Sequence, residues 1–283
     1  MDCTKAIIPV AGYGTRWLPI TKAIEKCMLP VGNRPVIDYV VEDCRWAGIR
    51  DFIFVVGEEF SQLRQFYGYN QLLEDYLDDK GKTEELDEVK ALRSKARFHF
   101  VVQDRYQPYG TATPLWLARH LIKPNEKFLY VFGDNFFFRK DGSSELADLI
   151  ARAKADNAKA AMLVNEVPWE EVHQYGIVVT EKRGDRELYK HIVEKPKRED
   201  APTNLNNSTS YLLSSDIFPF AEKNLETAFE GEHFFTDVLN AYVDAGNELS
   251  VFRAKGENLD CGTTPAWHRS NQFILGTDQA KHE

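Results

Sequence analysis

Short runs of β-branched and aromatic residues, spaced by amphipathic stretches, constrain this chain more than any other feature. Residues 5–10 (KAIIPV), 51–56 (DFIFVV), 98–103 (FHFVVQ), 128–132 (FLYVF) and 160–165 (AAMLVN) each have the length of a buried strand. Between them apolar residues recur at helical spacing, as at 36, 37, 40 and 41 and again at 115, 117, 118, 121 and 122. Strands alternating with crossover helices predict an α/β fold with a central, mixed but mostly parallel sheet flanked by helices. Helices are expected at 36–47, capped by Gly48, at 83–96, opened by Thr83, at 145–156, at 236–245, and as a polar stretch at the carboxyl end. Strands 175–180 and 189–194 should pair across the turn EKRGDRE, with further strands at 210–213 and 249–254. The run TEELDEVKALR reads as a solvated helix face. No repeat, low-complexity segment or flexible linker interrupts the pattern, so residues 1–283 are expected to form one domain.

The first strand runs straight into AGYGTRWLPITKAIEKCMLP. Glycines there permit left-handed backbone and close approach, so the loop is suited to an anion held by backbone N–H groups. A dinucleotide fingerprint is excluded because Trp17 stands where its third glycine would be and Pro19 stops an immediate helix. A Walker A loop is excluded because no Lys-Ser/Thr follows the last glycine. What remains is an extended loop carrying Arg16, Lys22 and Lys26, a set of cations suited to a polyphosphate.

Those cations matter because the chain as a whole is acidic, with 35 Lys+Arg against 44 Asp+Glu and a net charge of -9. Broad binding to nucleic acid or to anionic membranes needs the opposite balance, so neither partner is expected. Cys3, Cys27, Cys44 and Cys261 show no CxxC spacing, and the opening MDCTKAIIPV has no basic stretch leading into a long apolar run. Both point to free thiols and a cytoplasmic protein. The apolar runs fall far short of the ~20 residues of a membrane span. Zinc chemistry has no support from the scattered histidines.

The stretch from Lys5 to Ile49 resembles the amino-terminal signature of bacterial sugar-1-phosphate nucleotidyltransferases, most closely their UTP:glucose-1-phosphate uridylyltransferase branch. The resemblance continues through Gln103–Ala112, Asp134, Tyr175-Gly176, VEKP at 193–196, TNL and YLLSSDIF within 203–218, Thr236-Asp237 and Asp260-Cys261-Gly262. It implies a Rossmann-like nucleotidyltransferase fold, with a nucleotide-binding half at 1–135, a sugar-phosphate-binding half at 136–270 and a tail at 271–283. The implied reaction joins UTP to glucose 1-phosphate in a Mg²⁺-dependent in-line transfer, and relatives of this kind are usually homo-oligomers. Ala11, Gly12 and Gly14 would face the nucleotide, Arg16 and Lys26 the triphosphate, and Gln103 and Gly110 the base. Asp134 and Asp260 would hold Mg²⁺, while Gly176, Glu194 and Lys195 would face the sugar phosphate.

Taken singly, several of these residues have plainer readings. Asp134 and Asp260 are also turn formers, Lys195 precedes a proline as many solvated lysines do, and Cys261 reads as a small packed residue. The sequence also departs from the branch, which usually carries PKEMLP where this chain has Glu25-Lys26-Cys27-Met28-Leu29-Pro30, His-Ala-Val after the glycine where this chain has Thr111–Pro114, and Gly-Arg near Thr209-Ser210. The expected consequences are altered charge beside the phosphates and altered base and sugar contacts. The alternatives are a transferase of the same fold using dTTP, CTP or GTP with another sugar phosphate, or a non-catalytic homologue that binds nucleotide sugars.

Overall fold

The computed structural model describes residues 3–94, 96–227 and 231–282. Lys95, within the expected helix 83–96, and Glu283, at the end of the expected tail, lie outside the described residues, as do Met1 and Asp2 of the opening segment. In chain order the elements are β1 (Lys5–Pro9), β2 (Pro30–Val31), β3 (Arg34–Pro35), α1 (Val36–Trp46), β4 (Asp51–Val56), α2 (Gln62–Tyr67), α3 (Gln71–Asp79), α4 (Thr83–Ala91), β5 (Arg97–Val102), α5 (Ala112–Leu117), β6 (Lys127–Val131), β7 (Asn135–Phe138) and α6 (Glu145–Ala155). They continue with β8 (Ala160–Glu166), β9 (Gly176–Arg183), β10 (Arg186–Glu194), β11 (Leu205–Ser214), α7 (Phe218–Glu226), α8 (Phe235–Asp244), β12 (Leu249–Arg253), β13 (Glu257–Asp260) and α9 (Thr264–His282).

Nine strands form one sheet in the order β5-β4-β1-β6-β11-β8-β12-β10-β9. All but β11 and β10 point the same way, which is the mixed, mostly parallel sheet that the buried apolar runs predict. Strand side chains alternate between two cores. Ala6, Ile8, Leu129 and Val131 face the layer built on α1 and α6, while Ile7, Phe128 and Tyr130 face that built on α5 and α8. Successive strands step from β1 to β4 to β5 on one side, whereas β6 returns to the other side of β1. That reversal opens a crevice beyond the carboxyl ends of β1 and β6, the place where open α/β sheets bind ligands.

Local chemistry explains the helix ends. α1 stops where Gly48 takes a φ of 92°, and its N–H reaches Arg45 O at 3.0 Å. α6 starts at Ser144, whose hydroxyl accepts from Ala147 N at 2.9 Å and donates to the Asp43 carboxylate of α1. Several elements lie outside the expectation: α2 and α3 precede the expected helix opened by Thr83, α7 follows closely on β11, and the short strands β2, β3, β7 and β13 stand outside the main sheet. No helix among the described residues is long and apolar enough to cross a membrane.

Burial pushes the Asp43 carboxyl up to about 6, against the hydrogen bonds from Ser144 and the backbone of Leu146. A folded-state pKa above the unfolded one means that this group stabilises most at low pH and loses that contribution as pH rises from about 4 to about 6. Over that window the stability of wild type relative to Asp43→Asn is expected to fall by up to about 3 kcal/mol. Urea denaturation of both proteins at pH 4, 5, 6 and 7 checks it, and a pH-independent difference would remove Asp43 as the cause.

Candidate active site

Two adjoining cavities occupy the crevice at the reversal point. The inner one, about 420 Å³, is lined by Gly12, Gly14, Arg16, Lys26, Gln103 and Gly110, with Asp134 at its floor. The outer one, about 640 Å³, lies between residues 21–26, 57–62 and 103–109. Val10, Ala11, Gly12, Lys26, Gln103 and Tyr109 form the wall common to both.

The glycine loop after β1 is a series of tight turns. Gly14 holds a φ of 62°, and its carbonyl accepts from Thr21 Oγ1 at 2.9 Å, folding the loop back on itself. Gly12 has nothing within 4 Å of where a side chain would begin, so the loop shows bare backbone to the cavity. Trp17 turns inward and meets Trp267 of α9 edge-on, ring centres 5.7 Å apart. Trp267 Nε1 donates to Pro30 O at 2.7 Å, and Gly32 N donates to Asn271 Oδ1 at 2.8 Å, so the last helix backs the first loop.

Lys26 leaves this loop and pairs with Asp134, Nζ to Oδ2 at 2.6 Å. Asp134 lies just beyond β6, and its carbonyl accepts from Cys261 N at 2.9 Å. A pairing that the apolar pattern does not show, β7 with β13, sets Asp260 opposite Asn135 and thereby brings Asp260 beside Asp134. A methyl group on Gly262 would sit 2.9 Å from Asp260 Oδ1 and 3.9 Å from Asp134 Oδ2, so the two carboxylates flank that bare glycine. Burial raises the Asp260 carboxyl pKa and the Asp134 charge adds to the rise, while Gly262 N–H and Lys26 oppose it. Two crowded hard oxygen donors with one cation are the donor chemistry of a Mg²⁺ site that takes its other ligands from phosphates and water. Among the described residues, no group of three or more His, Cys, Asp or Glu is disposed to hold a metal by itself. Cys261 is buried and its thiol pushed up to about 12, which fits a packed residue rather than a nucleophile.

The other expected group stands at the end of the β9–β10 hairpin. Gly176 pairs with Glu194, and a methyl on Gly176 would lie 3.1 Å from Glu194 Oε1, so the glycine is the floor beneath that carboxylate. Lys195 is exposed, holds a φ of 46° and donates its N–H to Tyr175 O at 3.0 Å. A non-glycine residue in left-handed backbone costs roughly 1–2 kcal/mol, a strain that gathers at functional positions. Burial raises the Glu194 carboxyl pKa, Lys195 opposing and Asp237 reinforcing it. None of Gly176, Glu194 and Lys195 lines the two cavities. Burial raises the Tyr175 phenol pKa, and the charge of Asp260 adds to the rise.

The departures from the branch have structural reasons. Glu25 is not free in the cavity beside Lys26, because its carboxylate accepts from Ser61 N and Gln62 N at the start of α2. Cys27 is buried and desolvation raises its thiol pKa. Thr111 Oγ1 accepts from Phe235 N at 2.8 Å and Thr113 Oγ1 donates to Pro108 O at 2.6 Å, so this run fastens the loop before α5 to residues 233–235. Thr209 holds a φ of 52° at a bulge in β11, where its hydroxyl donates to Asn135 Oδ1 at 3.1 Å. Ser210 is buried, with its hydroxyl donating to Ser208 O at 3.4 Å.

Beside Gln103 stand two residues to which the motifs gave no role. Tyr13 and Tyr109 lie nearly parallel with ring centres 6.4 Å apart, and they are 68% and 45% exposed on the cavity wall. A large exposed aromatic inside a glycine loop is the signal that could have singled out Tyr13.

The model of the nucleotidyl transferase family matches residues 5–277. UTP--glucose-1-phosphate uridylyltransferase of Bacillus subtilis is 36% identical over 260 residues, 91% of this chain and 86% of the relative. The protein of the same description from Pseudomonas aeruginosa is 33% identical, covering 95% of both chains. Among solved structures, a UTP-bound UGPase from Acinetobacter baumannii superimposes with a TM-score of 0.86 at 28% identity over 99% of both chains. A UDP-glucose pyrophosphorylase complexed with UDP-glucose gives 0.82 at 28% identity, over 97% of this chain and 99% of that one.

Proposed function

This chain belongs to the nucleotidyl transferase family, and on that premise we propose that its cleft transfers a uridylyl group from UTP to glucose 1-phosphate, giving UDP-glucose and pyrophosphate. The relatives described as uridylyltransferases, and the neighbours bound to UTP and to UDP-glucose, support these substrates. The observation that carries the reading is the convergence of Lys26, Asp134 and Asp260 at the reversal point of the sheet, under a bare glycine loop.

In this reaction a phosphate oxygen of glucose 1-phosphate attacks the α-phosphorus of UTP. The new P–O bond forms as the bond from the α-phosphorus to the bridging oxygen breaks, and pyrophosphate leaves with that oxygen and its electron pair. No covalent enzyme intermediate is needed, so the protein works by holding two mutually repelling anions in line and offsetting their charge. Ala11, Gly12 and Gly14 present backbone to the nucleotide, Gln103 and Gly110 meet the base, and Arg16 and Lys26 face the triphosphate. Gly176, Glu194 and Lys195 hold the sugar phosphate, Glu194 by accepting from sugar hydroxyls and Lys195 through its charge. Asp134 and Asp260 would hold Mg²⁺, which when bound neutralises phosphate charge.

The single nine-stranded sheet supports one domain, with residues 1–135 serving the nucleotide, 136–270 the sugar phosphate and 271–283 as tail. We place the protein in the cytoplasm as a homo-oligomer. Pyrophosphate release measured over UTP, dTTP, CTP, GTP and several sugar 1-phosphates with Mg²⁺ tests the assignment. UTP with glucose 1-phosphate is expected to turn over fastest. Absence of turnover with every pair would sink the enzymatic reading, and a faster pair would replace the substrates.

A further inference from the structure

We propose that Glu25 is a positioning residue for Lys26, acting as one half of a latch that fastens the phosphate loop to the amino end of α2. The inference rests on the role given to Lys26 above. The latch is reciprocal. Glu25 Oε1 accepts from Ser61 N at 2.6 Å and from Gln62 N at 2.7 Å, and Oε2 accepts from Leu63 N at 3.4 Å. In return the Gln62 side chain accepts from Glu25 N at 2.8 Å and donates to Ala23 O at 3.1 Å. This is the logic of a capping box, in which side chain and backbone exchange hydrogen bonds, here closed between two segments far apart in the chain. Because Glu25 is a carboxylate at a helix amino end, the dipole favours it and its hydrogen bonds are charge-assisted.

The consequence reaches Lys26 through one peptide unit. Glu25 opens the 3-10 turn Lys26–Met28, with Met28 N donating to Glu25 O at 2.8 Å. Residues 21–26 and 57–62 are facing walls of the outer cavity, and Glu25 and Gln62 join them. Lysine reaches its target on a flexible four-carbon stem, so the placing of its ammonium depends on how firmly its backbone is held. A misplacement of about 1 Å at a reacting centre can cost on the order of 10²-fold in rate. The Glu25 oxygens are engaged by backbone N–H groups, which makes the residue a brace for the site rather than a ligand in it.

A double-mutant cycle on the full chain separates this role from simple structural support. Glu25→Ala is expected to lower kcat for pyrophosphate release about tenfold and to weaken UTP binding, read by calorimetry, by a similar factor. Introduced into Lys26→Ala, the same change should alter kcat and UTP affinity less than about twofold, because the group being positioned is gone. Glu25→Gln, which keeps an acceptor for the α2 N–H groups, should recover most of the loss, and Gln62→Ala, which removes the other half of the latch, carries the cycle if Glu25→Ala does not fold. Equal losses from the Glu25 change with and without Lys26 would overturn the positioning role, as would wild-type values for Glu25→Ala. If Lys26→Ala itself kept wild-type kcat and UTP affinity, the assignment of Lys26 would fall, and the latch with it.

Discussion

Asp134→Ala is expected to lower kcat/KM for uridylyl transfer by about 10²–10³-fold, the loss typical of removing one preorganised electrostatic group, or roughly 3–4 kcal/mol. The thermal midpoint should stay within a few degrees of wild type. Asp134 is about one-third exposed, and the hydrogen bond that fixes the strand junction uses its carbonyl, which alanine retains. Its carboxylate, by contrast, is the partner of Lys26 and the neighbour of Asp260. Its removal leaves Asp260 as the lone carboxylate of the pair and Lys26 without its anchor. Asp134→Asn keeps the shape and loses the charge, and it should be almost as impaired, which separates charge from packing. Lys195→Ala should lose a comparable factor by a different route, with UTP affinity unchanged and the deficit confined to glucose 1-phosphate and turnover. Steady-state pyrophosphate release together with calorimetric UTP binding reads all three. Turnover near wild type in Asp134→Ala would remove that residue from the site.

Gly110→Ala is expected to be strongly destabilising, costing at least about 3 kcal/mol by the scale of overpacking and backbone strain combined. A Cβ there would lie 2.3 Å from His233 O, 2.4 Å from His233 N and 2.7 Å from His233 C, all backbone atoms without a rotamer to retreat into. The φ of 136° adds its own penalty for any side chain. Relief requires the segment at 233–235 to move, which breaks the bond from His233 N to Tyr109 O at 2.8 Å and that from Ala112 N to His233 O at 2.9 Å. Urea denaturation measures the loss, and a cost under 1 kcal/mol would show that the two segments separate easily. Gly12→Ala is the control, since open space surrounds that position.

Local chemistry made much of this molecule readable before its coordinates. Strand-sized apolar runs gave β1, β4, β6 and β8, because burial on both faces leaves a continuous mark in the sequence, and a similar run gave the half-buried edge strand β5. The left-handed glycines at 14 and 48 were readable for a similar reason, since few other residues tolerate those angles. The β7–β13 pairing was not readable, because four-residue strands more than a hundred positions apart carry no periodicity of their own, yet it is this pairing that unites Asp134 and Asp260. The partners of Glu25 were not readable, since no local rule tells a carboxylate which distant helix it will cap. Of the three helices between β4 and β5, the one opened by Thr83 was readable, while α2 and α3, only six and nine residues long, blurred into the charged region before it.

The support of the first loop by the last helix sets an order of events during synthesis. Trp267 and Pro30 are separated by 237 positions, so the turns of the glycine loop lack their backing until α9 has left the ribosome. A nascent chain can pair its parallel strands early, but it cannot brace that loop. The same arithmetic makes a chain cut short before α9 a well-formed sheet with an unsupported loop, a product that would keep much of its fold and little of its affinity for UTP.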